Sequence, residues 1–143
     1  MSVKRRVVVT GLGIVSPLGN DLESTWSNIL QGTSGAARIT KFDASDFVTT
    51  FAAELKNYDE ISGLTPKEKR RIDPFVQYAI TASDQAIIDA GINSDELDTT
   101  RIGVSIGSGI GGLGSIEDNA IILKEKGPKK ISPFFVPGAI INM

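Results

Sequence analysis

Hydrophobic and polar positions divide the 143-residue chain into short apolar runs and longer amphipathic stretches. The first run, from Val7 to Thr10, is typical of a buried strand, and a glycine-rich loop follows from Gly11 to Gly19. Asn20 is predicted to cap a helix, and Gly32 is predicted to end it. The apolar face of this helix is predicted to carry Leu22, Trp26, Ile29 and Leu30.

The strongest helix pattern runs from residue 65 to residue 91. Thr65 and Glu68 have the spacing of a capping box, and Asp73 followed by Pro74 predicts that a second helix begins there. Apolar residues then recur at helical spacing until Gly91, which predicts the end of the helix. The opposite side is predicted to be polar and to carry Gln77, Thr81, Asp84 and Gln85.

A second β-branched run, at residues 102–106, is also predicted to be a buried strand. It leads into a denser glycine loop at residues 107–114. Ser115 is predicted to cap a helix that ends near Lys126, where a Gly-Pro pair follows. The apolar segment 131–143 is predicted to be a buried turn that enters another helix.

The order strand, glycine loop, helix occurs at residues 7–32 and again at residues 102–126, which predicts an α/β layered fold. Residues 33–47 show no clear period and are predicted to be loop, whereas residues 49–55 are a weaker strand candidate. Because the chain stops on an apolar stretch without a polar tail, we expect it to be the front part of a larger protein.

Composition narrows the chemistry that this chain can perform. It has no cysteine and no histidine, which excludes a disulfide, a thiolate metal site, a cysteine nucleophile and a histidine base. The net charge of −2 argues against nucleic-acid binding, and no apolar run reaches the roughly 20 residues of a membrane span. We expect a cytoplasmic protein with no metal and no cofactor.

Two local motifs leave alternatives open. Gly107, Gly109 and Gly112 fit the G-x-G-x-x-G spacing of a dinucleotide-binding loop, but the acidic residue expected about 20 positions later is missing. The glycines are therefore explained either by a small nucleotide-binding α/β module or by close backbone packing. The cluster of basic residues from Lys67 to Arg71 is either a solvated helix face or a docking patch for an acidic partner.

Several stretches taken together resemble the N-terminal part of the β-ketoacyl-acyl carrier protein synthases, the condensing enzymes of fatty acid synthesis. Their order and spacing along the chain make the resemblance specific. Ile110 favours the type II form, because the type I bacterial relatives carry glycine at that position. The matching stretches are residues 5–13, Ser16 to Gly19, Thr25-Trp26, Lys67 to Asp73, Gly107 to Gly112 and Ile131 to Pro137.

The resemblance implies that residues 1–143 are an incomplete N-terminal portion of a thiolase-like fold with α-β-α-β-α layers, which assembles as a homodimer. It implies a decarboxylative Claisen condensation that extends an acyl chain from malonyl-acyl carrier protein. The family's cysteine and two histidines lie C-terminal to the Asn142-Met143 region, so this segment alone is expected to be inactive. A non-catalytic relative that still binds acyl carrier protein is a further alternative.

The resemblance carries over only non-catalytic roles to this chain. Ile110 matches a residue that lines and gates the acyl pocket, and Phe135 matches an aromatic residue that borders the pocket from the partner subunit. Lys67, Arg70 and Arg71 match basic positions that contact the acidic acyl carrier protein. These five residues are the candidate functional residues.

Overall fold

The structure is a computed structural model that describes residues 5–61, 63–92, 95 and 97–141. The backbone clusters into two compact units. Unit 1 comprises Met1–Ile61 and Ala82–Leu97, and unit 2 comprises Ser62–Thr81 and Asp98–Met143. Asn142 and Met143, the end of the predicted final segment, lie outside the described residues.

Unit 1 contains two short helices and one small antiparallel sheet before it reaches the second half of the longest helix. The sheet pairs Ala37 with Ala52 and Arg38 with Phe51. It confirms part of the strand predicted at residues 49–55, but its other strand lies in a stretch predicted to be loop. The elements are α1 (Leu22–Leu30), β1 (Ala37–Arg38), β2 (Phe51–Ala52) and α2 (Tyr58–Ile61).

Helix α1 forms where the apolar spacing predicts it, and Gly32 after its end has a φ of 67°. The predicted cap was wrong by one residue. Asp21 is the N-cap, because its carboxylate accepts a hydrogen bond from the backbone N–H of Ser24 at 2.7 Å. Asn20 does not cap the helix; its side-chain amide donates a hydrogen bond to the carbonyl of Lys56 at 2.7 Å.

Unit 2 is helical in the residues that the structure describes. The capping box of Thr65 and Glu68 is confirmed at the start of its first helix. Helix α5 begins earlier than predicted, with Gly112 as its N-cap, so Ser115 is a residue of the first turn and does not cap it. The elements are α3 (Pro66–Lys69), α4 (Pro74–Asp89), α5 (Leu113–Lys126) and α6 (Phe135–Ala139), with 3₁₀ turns at Thr99–Arg101 and Pro128–Lys130.

The buried strands predicted at residues 7–10 and 102–106 are corrected by the structure. The two-stranded sheet of unit 1 is the one sheet found in the described part of the chain, and neither run belongs to it. Val7 is 88% exposed and Val104 is 84% exposed. The physical reason is that a strand needs a hydrogen-bonded neighbour, and a β-branched run supplies only the tendency to pair.

Helix α4 has the predicted start and end, and Asp84 of its predicted polar side is exposed, but two of the four residues assigned to that side are buried. Gln77 and Thr81 are buried, because backbone carbonyls satisfy their polar atoms. The Gln77 amide donates to the carbonyls of Lys69 and Ile72 at 3.2 and 3.0 Å, and the Thr81 hydroxyl donates to the carbonyl of Gln77 at 3.1 Å. The Gln77 side chain thus stabilises the turn between α3 and α4, whereas Thr81 bonds within α4.

Candidate functional site

Helix α3 presents the basic cluster that sequence predicts to be a docking patch. The Thr65 hydroxyl accepts a hydrogen bond from the N–H of Glu68 at 3.3 Å, and the Glu68 carboxylate accepts one from the N–H of Thr65 at 2.8 Å. These reciprocal bonds stabilise a helix of one turn, which is too short to persist through backbone bonds alone. The capping box therefore fixes the backbone of the helix that contains Lys67, whose side chain is exposed.

The capping box also has an electrostatic consequence. The Thr65 hydroxyl donates to the Glu68 carboxylate at 2.7 Å, and this bond is the main reason that the pKa of Glu68 lies below its ordinary value. The backbone N–H of Thr65 and the charge of Arg71 lower this pKa further. Glu68 is therefore ionised near neutral pH, as the capping bonds require.

The two arginines of the cluster have different local roles. The Arg70 guanidinium donates through Nε to the carbonyl of Pro66 at 3.0 Å, which leaves its terminal nitrogens on an exposed side chain. The Arg71 guanidinium lies over the ring of Phe134, with its carbon 4.7 Å from the ring centre. This is a cation–π contact, so Arg71 packs against the segment that leads into α6.

Arg70, Arg71 and Phe135 line one cavity of 110 Å³ in unit 2. Asp73, Ser115 and Phe134 contribute further lining atoms. The cavity brings two of the predicted docking residues together with one of the predicted pocket residues. Phe135 is half-buried there, and its backbone N–H donates to the carbonyl of Ser132 at 3.0 Å.

Ile110 stands apart from that cavity, in the glycine loop that precedes α5. Its side chain is 73% exposed. Two hydrogen bonds hold the loop next to Ile110. Within the loop, the N–H of Gly111 donates to the Ser108 hydroxyl at 3.0 Å; the N–H of Gly112 donates to the carbonyl of Ala139, in α6, at 2.9 Å. Ile110 is thus an exposed apolar side chain on a loop whose C-terminal end, the base at Gly112, is hydrogen-bonded to α6.

Asp73 lines the cavity and has a long-range contact that sequence reasoning missed. It was recognised as the start of α4, and its carboxylate does accept from the N–H of Phe75 at 3.3 Å. The same carboxylate also accepts a hydrogen bond from the Ser115 hydroxyl at 2.6 Å, across 42 positions of sequence. The signal available in the sequence was the pair Asp73-Pro74, which predicts a local cap and gives no sign of a distant partner.

The start of α5 is poorly suited to a phosphate group. Gly112, the last glycine of the G-x-G-x-x-G spacing, is buried, and a Cβ placed there would lie 2.8 Å from an oxygen of the Asp73 carboxylate. The carbonyl of Ala139 accepts the N–H of Gly112. A carboxylate and a carbonyl oxygen therefore occupy the place where a dinucleotide loop would offer free N–H groups to an anion.

Neither a metal centre nor a membrane helix emerges from the described residues. Residues 5–61, 63–92, 95 and 97–141 contain no cluster of three or more His, Cys, Asp or Glu side chains that could hold an ion. Within the same ranges, no helix is both long enough and apolar enough to cross a bilayer. A larger cavity of 280 Å³ in unit 1, beside Phe42 and Asp43, contains none of the five candidate residues.

Comparison with protein families matches residues 4–143 to the beta-ketoacyl synthase N-terminal domain. The chain belongs to this family. The synthase resemblance drawn from the sequence motifs is thereby confirmed over nearly the whole chain. A relative from Vibrio harveyi, 3-oxoacyl-[acyl-carrier-protein] synthase 2, is 51% identical over 140 residues, which cover 98% of this chain and 34% of the relative.

Solved ketosynthases have the same backbone arrangement. The ishigamide ketosynthase/chain length factor matches 96% of the chain with a TM-score of 0.77 and 27% identity. A type II polyketide synthase ketosynthase, solved in complex with its acyl-carrier protein, matches 93% with a TM-score of 0.67 and 27% identity. The chain spans about a third of the length of these relatives, 34% in each case. The fold is therefore that of the N-terminal region of a ketosynthase.

Proposed function

We propose that this chain forms the N-terminal part of a 3-oxoacyl-[acyl-carrier-protein] synthase of type 2, which condenses an acyl group with malonyl-acyl carrier protein during fatty acid elongation in the cytoplasm. The observation that carries the proposal is the 51% identity to such a synthase across 98% of the chain. The aligned 140 residues cover 98% of this chain, so the comparison takes in the helices, the glycine loop and the basic cluster that the function would use.

The chemistry assigns a limited role to this chain. In the condensation, malonyl-acyl carrier protein loses carbon dioxide, its carbanion attacks an acyl thioester on a cysteine, and the thiolate leaves as the new carbon–carbon bond forms. The chain has neither cysteine nor histidine. The nucleophile and the groups that stabilise the oxyanion would come from residues outside it, and the chain would supply scaffold, pocket wall and docking surface.

The acyl pocket is assigned to Ile110 and Phe135. An exposed isoleucine on an anchored loop and a half-buried phenylalanine provide apolar surface without any charged group of their own. Such surface suits an acyl chain, because its affinity grows with the apolar area removed from water. The exposure of Ile110 in this chain is consistent with a wall that is completed by other residues of a layered α-β-α-β-α synthase and by its homodimer partner.

Docking of acyl carrier protein is assigned to Lys67 and Arg70, with Arg71 in a mixed role. Lys67 and Arg70 are exposed on or beside a capped helix, which is the form that an electrostatic docking patch needs. Arg71 also packs on Phe134, so its substitution would disturb structure as well as charge. The polyketide ketosynthase that is similar to this chain was solved in complex with its acyl-carrier protein, which supports a partner of the same class.

A chimaera tests the proposal directly. In the Vibrio harveyi synthase 2, the 140 residues that align with this chain are replaced by the corresponding residues of this chain. We expect the chimaera to form 3-oxoacyl products from acyl and malonyl groups carried on acyl carrier protein. A folded chimaera that binds acyl carrier protein without condensing would favour the non-catalytic relative, and micromolar binding of NAD(H) or NADP(H) by calorimetry would favour the nucleotide module.

A further inference from the structure

The proposed function gives no role to the carboxylate of Asp73. Its two oxygens accept from different segments of unit 2, one from the N–H of Phe75 at 3.3 Å and the other from the Ser115 hydroxyl at 2.6 Å. Its own backbone N–H donates to the carbonyl of Gly138 at 3.0 Å. One residue therefore ties together the start of α4, the first turn of α5 and the end of α6.

The glycine loop closes directly on this carboxylate. Gly112 is buried, and a Cβ at that position would lie 2.8 Å from Oδ2 of Asp73 and 2.9 Å from the Cα of Ala139. The oxygen that accepts the Ser115 hydroxyl is thus the same oxygen that leaves no room for a side chain at Gly112, the base of the loop. The base of the loop and the Asp73 carboxylate are therefore close neighbours.

Ile110 depends on the same base for its own position. It lies two positions before Gly112 in the sequence, and its side chain is 73% exposed, so it has little packing of its own. Gly109, its neighbour, has open space where a Cβ would be. The side chain is therefore presented by the backbone of the loop. That backbone is bonded to itself between Gly111 and Ser108, and it is anchored to α6 where Gly112 donates to Ala139.

We propose that Asp73 is a positioning residue, and that its hydrogen bond with Ser115 fixes the glycine loop in the orientation that presents Ile110 to the acyl chain. This inference rests on the proposed function, in which Ile110 lines the acyl pocket. Selection of acyl-chain length then depends on a hydroxyl–carboxylate bond that touches neither substrate nor nucleophile.

Ser115→Ala in the chimaera tests the bond with the least disturbance. It removes the hydroxyl but leaves the Asp73 carboxylate free to accept from the N–H of Phe75. Ser115→Thr restores a hydroxyl and serves as the conservative variant. Thr100→Ala is a matched control, because the Thr100 hydroxyl also donates to an aspartate carboxylate, that of Asp98, at 2.6 Å in an exposed turn of the same unit.

Two readouts separate positioning from simple stability. For Ser115→Ala, we expect the ratio of kcat/KM between long and short acyl substrates to change by about tenfold, because small changes of pocket shape discriminate at that level. We also expect amide hydrogen exchange of residues 108–114 to accelerate by roughly tenfold, as local opening becomes easier. Ser115→Thr should restore both values, and Thr100→Ala should change neither.

The inference is overturned if Ser115→Ala leaves the substrate ratio at the parent value, or if exchange in residues 108–114 stays as slow as in the parent. Failure of the proposed function gives a different result, because the unsubstituted chimaera would then form no product. In that case the exchange measurement still decides whether the Asp73–Ser115 bond holds the loop, and unchanged exchange would overturn the positioning role.

Discussion

The two glycine loops of this chain have similar sequences but different surroundings. In unit 1, a Cβ on Gly11 would lie 2.3 Å from the carbonyl oxygen of Ala86, and a Cβ on Gly13 would lie 1.9 Å from that of Ala82. In unit 2, Gly107 and Gly109 have open space at the same position. The first loop is packed against a helix, whereas Gly107 and Gly109 of the second loop meet no atom of this chain within 4 Å.

The hydrogen bonds of the first loop extend this contrast. The N–H of Leu12 donates to the Asp89 carboxylate at 2.9 Å, and the N–H of Ile14 donates to the side-chain oxygen of Gln85 at 3.1 Å. Polar side chains of α4 thus satisfy the backbone of a loop that packs on the same helix. Glycine in unit 1 allows close packing, while in unit 2 it leaves Ile110 accessible above an anchored base.

The largest expected effect comes from adding a single methyl group to each loop of the chimaera. Gly13→Ala forces Cβ against the backbone of α4, which should lower the free energy of unfolding by about 3 kcal/mol or prevent folding. Gly109→Ala meets no atom of this chain within 4 Å and should change the free energy of unfolding by less than about 0.5 kcal/mol. Urea unfolding measures both values, and equal losses would contradict the contrast between the loops.

A larger apolar side chain on each loop should affect selectivity only in unit 2. Ile110→Phe narrows the proposed acyl pocket, so we expect kcat/KM for long acyl chains to fall by about 10- to 100-fold relative to short ones. Leu12→Phe is the control, since Leu12 is 52% exposed on the packed loop of unit 1. Competition between acyl substrates measures the ratio, and an unchanged preference in Ile110→Phe would remove Ile110 from the pocket.

Charge reversal should raise KM when it is made in unit 2 but not in unit 1, and this effect should be smaller than the change in acyl-chain selectivity. Lys67→Glu places a negative charge on the proposed docking helix, and we expect KM for carrier-bound substrates to rise by about fivefold while small thioester analogues are unaffected. Lys56→Glu makes the same change on an exposed residue of unit 1 and should leave both values unaltered. If Lys67→Glu impairs both substrate types equally, its effect lies in folding and the docking role is lost.

The smallest expected effect concerns pH, and here the two units should behave alike. Hydrogen bonds from Thr65 lower the pKa of Glu68, and hydrogen bonds from Thr40 lower the pKa of Glu54. Each carboxylate should therefore add stability at neutral pH and lose it as pH falls from the unfolded pKa, about 4.5, through the lower folded pKa. Thermal unfolding of Glu68→Gln and Glu54→Gln should show a weaker acid dependence than the parent. An unchanged dependence would contradict a stabilising role for the bonds from Thr65 to Glu68 and from Thr40 to Glu54.

Local rules predicted the helices of this chain better than its strands. The helix α1, the capping box at Thr65 and the helix α4 follow from residues that lie within one turn of each other. A strand depends on a partner elsewhere, so the β-branched runs at residues 7–10 and 102–106 predicted pairing that the described structure does not contain. Hydrophobic periodicity assumes that polar side chains are exposed, so it placed Gln77 and Thr81 on the solvent side. Both are buried, because each donates a hydrogen bond to a backbone carbonyl.

The sequence supplied the candidate residues of the site, which stay predictions, but not the contacts that connect them. The resemblance to the family identified the basic cluster, Ile110 and Phe135 from motifs alone. The cavity shared by Arg71 and Phe135, and the bond between Asp73 and Ser115, join positions far apart in the sequence. Such contacts depend on how helices pack, which neither capping rules nor spacing of apolar residues encodes.

The most direct test of the account is the initial rate of carbon–carbon bond formation by the chimaera, measured with acyl and malonyl groups on acyl carrier protein. Because this chain is proposed to supply scaffold, pocket wall and docking surface, we expect the rate to lie within about tenfold of the Vibrio harveyi parent, a loss of roughly 1.4 kcal/mol in transition-state stabilisation. A stably folded chimaera that forms no 3-oxoacyl product would contradict the account.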